Sequence, residues 1–266
     1  MNLLTGRCLK MSYLQANSSV VYFENQGSGE ALVFLHSLGT SSKIWEQQKK
    51  YFENDYQVIC IDARGHGSSE STIPFSFKDW ANDIVAVLDN LEIKKAHFVG
   101  LSMGGHVLLE LYQIAPNRIS SIILCNTFAK VPEEIREEKL HSRLVLLEQD
   151  NFVEEWAKLS LYPHAPKTLI EKTINLYASS KDDYKSTWIA VNKVNYVSML
   201  KTINIPVLIL TGDMDKAAPI KLAQVFHENI EGSKLEIIRQ AGHFSNLCNP
   251  AEFNLKISSF LSSISK

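Results

Sequence analysis

Four short apolar runs constrain this chain more than any other feature: ALVFLH (31–36), QVICID (57–62), AHFVGL (96–101) and ISSIILCN (119–126). Each is too short for an ordinary helix, rich in aliphatic and β-branched residues, and nearly continuous rather than alternating. Strands of a parallel sheet, covered on both faces, read this way. Helical patterns lie between them. In KDWANDIVAVLDNL (78–91), Trp80, Ile84, Val87, Leu88 and Leu91 fall on one face. Strand, helix, strand at this spacing predicts right-handed βαβ crossovers. SVVYFENQG, ahead of the first run, reads as an antiparallel hairpin partner. The expected class is α/β, with a mostly parallel central sheet flanked by helices.

From about residue 129 to 200 the strand signals stop. VPEEIREEKLHSRLVLLEQ is charged and helical, with Leu140, Leu144 and Leu147 on one stripe. NFVEEWAKL, KTLIEKTINLYAS and DDYKSTWIAVNKVNYVSML also read as helices, and Pro163 and Pro166 break the middle. The first pattern resumes at Ile205, with IPVLILTGD (205–213) and SKLEIIRQ as strands and IKLAQVFHENI and PAEFNLKISSFLSSI as helices. The expected organisation is a core of residues 1–128 and 201–266 interrupted by a helical insertion over 129–200. A hydrophobic content of 45% in 266 residues is enough for one large core. A net charge of -2 gives no reason to expect nucleic acid as a partner. Cys8, Cys60, Cys125 and Cys248 show no CxxC spacing and read as reduced thiols of a cytoplasmic protein. No apolar run approaches the ~18 residues of a membrane span. MNLLTGRCLK is too short and too weakly apolar for a secretory signal. It reads as a loose extension ahead of a folded part beginning near Met11. Nothing in the sequence indicates an oligomeric state.

In an open parallel sheet, functional groups gather outside the carboxyl ends of the strands. After the run 96–101 comes Gly100-Leu101-Ser102-Met103-Gly104, a G-x-S-x-G between strand and helix. A sharp turn there lifts a serine hydroxyl above the sheet, and the glycines relieve the crowding. Such a nucleophile needs a base with a pKa near ~6.5. Of eight histidines, His97 lies in a strand, His227 in a helix, His141 and His164 in the insertion, and His106 in the helix after Ser102. His243, in the loop QAGHFSN after the last strand, stands at the required sheet edge. The imidazole needs a carboxylate to hold its tautomer. LTGDMDKAAP offers Asp213 and Asp215; Asp215 lies further into the loop, whereas Asp213 suits a turn role at the strand end. The position after the run 119–125 could also carry an acid, but it holds Asn126. An oxyanion calls for two donors: the backbone N–H groups of Met103 and of Leu38, in HSLGTSSKIW, are expected to serve. Asp62 and Arg64 in IDARGHGSS are read as holding that turn together. There is no metal-ligand spacing, Walker-type loop or G-x-G-x-x-G, so no cofactor is expected.

With these residues the sequence resembles the α/β-hydrolase fold family over about 19–128 and 205–264, in the order Ser102, Asp215, His243. The insertion corresponds to that family's variable helical lid. Within the family it looks most like the 3-oxoadipate enol-lactonases, through HSLGTSSKIWEQQ, DARGHGSSE, FVGLSMGGHV, ILCNTFAKV and AGHFSN. SLGT and LCNT are the more specific of these. The resemblance implies a cofactor-free serine hydrolase opening an enol-lactone ester to 3-oxoadipate. A broad-range carboxylesterase, or a slow-turnover ligand-sensing protein on the same fold, are the alternatives. His36 departs from the asparagine or similar polar residue of the lactonases. Lactonase lids supply an arginine and a tryptophan to an acidic substrate; here Arg136, Trp156 and Trp188, with Lys130, are the candidates.

Overall fold

The computed structural model describes residues 10–264. Residues 1–9, Cys8 among them, lie outside the described residues. The strands are β1 (Lys10–Ala16), β2 (Ser19–Gly27), β3 (Glu30–Leu35), β4 (Tyr56–Ile61), β5 (Ala96–Leu101), β6 (Ile119–Cys125), β7 (Val207–Gly212) and β8 (Lys234–Ile238). They form one eight-stranded sheet in the order β1-β2-β4-β3-β5-β6-β7-β8. β1 pairs antiparallel with β2, and β2 antiparallel with β4. Every later pairing is parallel. The helices are α1 (Glu46–Phe52), α2 (Phe77–Asn90), α3 (Met103–Ile114), α4 (Glu133–Leu147), α5 (Phe152–Ser160), α6 (Lys167–Ile174), α7 (Lys181–Val191), α8 (Ile220–Asn229), α9 (Ser245–Cys248) and α10 (Pro250–Ile264).

Strands β3, β5, β6 and β7 have almost no exposed residue, as the unbroken apolar runs demand. On one side Phe34 of β3 packs on Trp45 and Phe52, and Trp45 packs on Phe253 of α10. On the other, α2 buries Trp80, Ala81, Ile84, Val87 and Leu88 completely. Each such large aliphatic side chain contributes ~1.5–3 kcal/mol. Between β6 and β7 stand the helices α4 to α7. Among the described residues no helix is long and apolar enough to cross a membrane. Cys60, Cys125 and Cys248 are free thiols.

Three boundaries differ from the sequence reading. Lys10 already belongs to β1, so Met11 lies inside an edge strand. Met11 and Tyr13 point to solvent, and that strand lacks the apolar run that marks the others. β7 starts two residues later than Ile205. The helix expected over 182–200 ends at Val191. Asn192 donates both its backbone N–H and its side-chain amide to the Trp188 carbonyl, at 3.1 and 2.9 Å. The chain then turns to pair Tyr196 N–H with the Ala129 carbonyl at 2.8 Å, and a separate 3-10 turn covers Val197–Thr202.

Candidate active site

Parallel strands deliver their carboxyl ends to one edge, where the loops after β3, β5, β6, β7 and β8 meet. Ser102 stands between β5 and α3 with φ 52 and ψ -108. A non-glycine residue there carries ~1–3 kcal/mol of strain, so its surroundings must hold it. They do: the Ser102 N–H donates to the Cys125 carbonyl at 2.8 Å. Its carbonyl accepts from Gly105 N–H at 2.9 Å and from the Thr127 hydroxyl at 2.8 Å. A side chain on Gly104 would run into the Leu35 carbonyl, and a Cβ on Gly100 would lie 2.6 Å from the Gly104 backbone. Neither backbone can retreat, so the turn requires glycine at both positions.

His243 follows β8 through a short loop. Its Nε2 is 2.8 Å from Ser102 Oγ and its Nδ1 2.9 Å from Asp215 Oδ2. An ionised carboxylate only accepts, so Nδ1 carries the proton and Nε2 is free to accept from the serine hydroxyl. The Asp215 side chain is wholly buried. Its Oδ1 accepts from the Ala217 and Ala218 N–H groups at 2.8 and 2.9 Å, and its Oδ2 also from the Asn126 amide at 2.9 Å. Burial pushes this carboxyl up, but His243 beside it, the Ala218 N–H and the Asn126 amide outweigh that and hold it below the ordinary value. Asp213 does not meet His243. Its carboxylate accepts from Ala241 N–H at 3.0 Å and ties the loop after β7 to the loop after β8. Gly212 allows that approach, since a Cβ there would lie 2.5 Å from the Gly242 carbonyl oxygen.

Asn126 occupies the other position where an acid could have stood. It is at φ 47, donates to Asp215 and the Gly242 carbonyl, and accepts from the Ser245 hydroxyl at 2.5 Å. The sequence reading passed over it as a non-acid; its place directly after β6 was the available signal.

Leu38 and Met103 are both buried beside this group. Neither backbone N–H has a protein acceptor among the described residues. His36 fixes the Leu38 loop, accepting from Ala63 N–H at 2.9 Å through Nε2 and facing the Ser37 carbonyl at 2.8 Å through Nδ1. Burial pushes its pKa down to about 4, so it is a neutral strut. Gly39, at φ 80, fits under Tyr184, Tyr177 and Trp156 with a Cβ position only 3.0–3.4 Å from their rings. Asp62 accepts from the Ser42 and Ser68 N–H groups and Arg64 pairs with Asp83, so both hold turns.

A cavity of about 440 Å³ lies between these loops and helices α4, α5 and α7, with Ser102, His243 and Leu38 in its wall. Trp156 and Trp188 line it; the Trp188 indole N–H donates to the Leu140 carbonyl at 3.3 Å. Arg136 does not line it. Glu133, one turn earlier on α4, takes its guanidinium in a double contact at 2.7 and 3.0 Å. Lys130 is also absent from the wall; its backbone forms an isolated antiparallel bridge with that of Asn195. The cations that do line the cavity are Lys139, Arg143, Lys216 and Lys221, with one carboxylate, Glu138. The sequence reading missed Lys139 and Arg143; their i, i+4 spacing on α4 was the available signal. Among the described residues no group of His, Cys, Asp and Glu converges as a metal site requires.

A hydroxyl on an imidazole, itself on a buried carboxylate, can act as a nucleophile with its own base. A model of the alpha/beta hydrolase fold matches residues 30–250, and the chain belongs to that family; it is an enzyme of the hydrolase class. It is 32% identical over 234 residues to 3-oxoadipate enol-lactonase 2 of Acinetobacter baylyi, covering 86% of this chain and 87% of that one. An esterase from Exiguobacterium antarcticum superposes with a TM-score of 0.89 at 25% identity, covering 95% of this chain and 100% of that one. The enol-lactonase from Burkholderia xenovorans LB400 has the same fold, with a TM-score of 0.86 at 24% identity over 94% of this chain and 100% of that one.

Proposed function

We propose that the chain is a serine hydrolase that opens a small carboxylic ester or lactone, with 3-oxoadipate enol-lactone as the favoured substrate. The observation that carries this reading is the unbroken line Ser102–His243–Asp215, at 2.8 and 2.9 Å, opening on the cavity beneath helices α4, α5 and α7. Substrate enters between the sheet edge and helices α4–α7, which act as a lid. Ser102 Oγ attacks the carbonyl carbon and its proton passes to His243 Nε2. Asp215 stabilises the imidazolium without taking the proton. The oxyanion is received by the Leu38 and Met103 N–H groups. Two buried donors without acceptors are costly, ~1–3 kcal/mol each, unless an acceptor arrives with the substrate. As the tetrahedral adduct collapses, the ring C–O bond breaks and His243 returns the proton to the leaving oxygen. In a lactone that enol stays tethered to the acyl group. Water, deprotonated by His243, then attacks the acyl-enzyme, and its collapse restores Ser102.

The narrower substrate is supported by the likeness to the Acinetobacter enol-lactonase and by the cations in the cavity wall, which suit a carboxylate on the substrate. The reading includes a cytoplasmic location, in keeping with the free thiols Cys60 and Cys125. The esterase likeness favours a second reading, a carboxylesterase of broad range. Steady-state kinetics on 3-oxoadipate enol-lactone and p-nitrophenyl acetate separates the two. The expected result is a lactone kcat/KM of ~10⁵ M⁻¹s⁻¹ or more, far above that for acetate. Cleavage of acetate with the lactone ignored overturns the narrower substrate and leaves the serine hydrolase.

A further inference from the structure

Lys139 is a partly buried cation with no carboxylate partner among the described residues. Its ammonium lies in the cavity wall, and its only hydrogen bond among the described residues is to the Ala217 carbonyl at 3.3 Å. It sits 4.4 Å from the centre of the Phe128 ring and 6.0 Å from that of Trp188. Arg143, one turn further along α4, lies 5.2 Å over the same Trp188 and donates to the Tyr184 hydroxyl at 3.0 Å. Neither cation has a carboxylate within ion-pair distance among the described residues, whereas the buried cations Lys49 and Arg64 are paired with Glu24 and Asp83. A half-buried ammonium on one carbonyl and two rings is poorly compensated for lost hydration. Aromatic faces reward it only modestly. The fold leaves this charge unpaired at a place where a substrate can bring its counter-ion.

We infer that Lys139 is a specificity-determining residue whose charge selects esters bearing a carboxylate over neutral ones. This rests on the hydrolase reading above and adds to it a residue and a pH dependence. The groups that share its surroundings are Glu138 and Arg143 on α4, Tyr184 on α7, Asp215 and Lys216 after β7, Lys221 on α8, His106 on α3, and His243. Burial first, and Arg143 second, push Lys139 down to about 8, with Asp215 pulling the other way. Burial keeps His106 neutral, at about 3. Burial likewise raises Tyr184 above the ordinary tyrosine value, so it stays un-ionised in the window that matters. Between pH 7 and 9.5, therefore, Lys139 is expected to lose its charge.

The test compares two esters of equal chain length, mono-p-nitrophenyl adipate and p-nitrophenyl hexanoate, in the full-length wild type, Lys139→Arg and Lys139→Met. The readout is the ratio of their kcat/KM values, in which any change common to both esters cancels. In the wild type the adipate-to-hexanoate ratio is expected to fall roughly tenfold or more from pH 7 to 9.5, the usual size of a charge-assisted contact. In Lys139→Arg it should stay flat and high, and in Lys139→Met flat and low. A second readout separates binding from scaffolding. Lys139→Met should unfold at the same or a higher urea concentration than wild type at pH 7, because an uncompensated charge has gone. A wild-type ratio independent of pH, or an unchanged ratio in Lys139→Met, in a protein that cleaves hexanoate overturns the role of Lys139 alone. A folded wild type that cleaves neither ester and takes no fluorophosphonate overturns the hydrolase reading, and this inference with it.

Discussion

Ser102→Ala is expected to lower kcat for any ester substrate by about 10⁶-fold, the scale seen when a serine nucleophile is removed from a preorganised site. The loss should fall on kcat, with substrate binding largely kept. The substitution removes one oxygen and one hydrogen bond, that to His243 Nε2. The contacts that hold the turn are made by the Ser102 backbone, to Cys125, Gly105 and Thr127, and alanine keeps all three. Alanine bears the same strain at φ 52 as serine does. Thermal unfolding should therefore change little. A Ser102→Ala protein that is folded and retains a tenth of wild-type turnover would remove Ser102 from the mechanism.

The second large effect separates two aspartates that are two residues apart. Asp215→Asn is expected to cost about 10⁴-fold in kcat, as loss of the orienting acid does in other serine hydrolases. Both Asp215 oxygens accept: one from Ala217 and Ala218, the other from Asn126 and His243. An amide has a single acceptor oxygen, so in either orientation its NH₂ faces donors. If it faces His243, the imidazole must carry its proton on Nε2 and can no longer accept from Ser102. Asp213→Asn keeps the oxygen that accepts from Ala241, so turnover should stay within a few-fold of wild type. The opposite pattern, a harmless Asp215→Asn beside a crippled Asp213→Asn, would make Asp213 the orienting acid.

What the sequence revealed, and what it hid, divides by the range of the interaction responsible. The sheet interior was readable because β3, β5, β6 and β7 are buried on both faces, and such strands need unbroken apolar runs whatever surrounds them. The turn at Ser102 was readable because Gly100 and Gly104 answer a local backbone collision. β1 escaped because an edge strand with Met11 and Tyr13 in solvent need not carry that pattern. The end of α7 escaped because the backbone beyond it is drawn to a distant partner, Tyr196 N–H donating to the Ala129 carbonyl at 2.8 Å, in a segment whose composition would let the helix continue. The cavity wall was the least readable part. Arg136 is drawn to Glu133 by neighbours on its own helix, whereas Lys139 and Arg143 face the cavity only because of where α4 lies against Phe128, Trp188 and the loop after β7. That placement is set by tertiary packing of a helix whose sequence is mostly charged, so its register toward the substrate could not be read from periodicity.

The most direct test of the central claim, that Ser102 is the nucleophile activated by His243, is covalent labelling of the wild-type protein with a fluorophosphonate, followed by intact-mass and peptide mapping. The expected result is one equivalent of label per chain, on Ser102, formed rapidly at neutral pH and lost in a folded His243→Ala variant. No label on folded wild type, or label confined to a different residue, contradicts it.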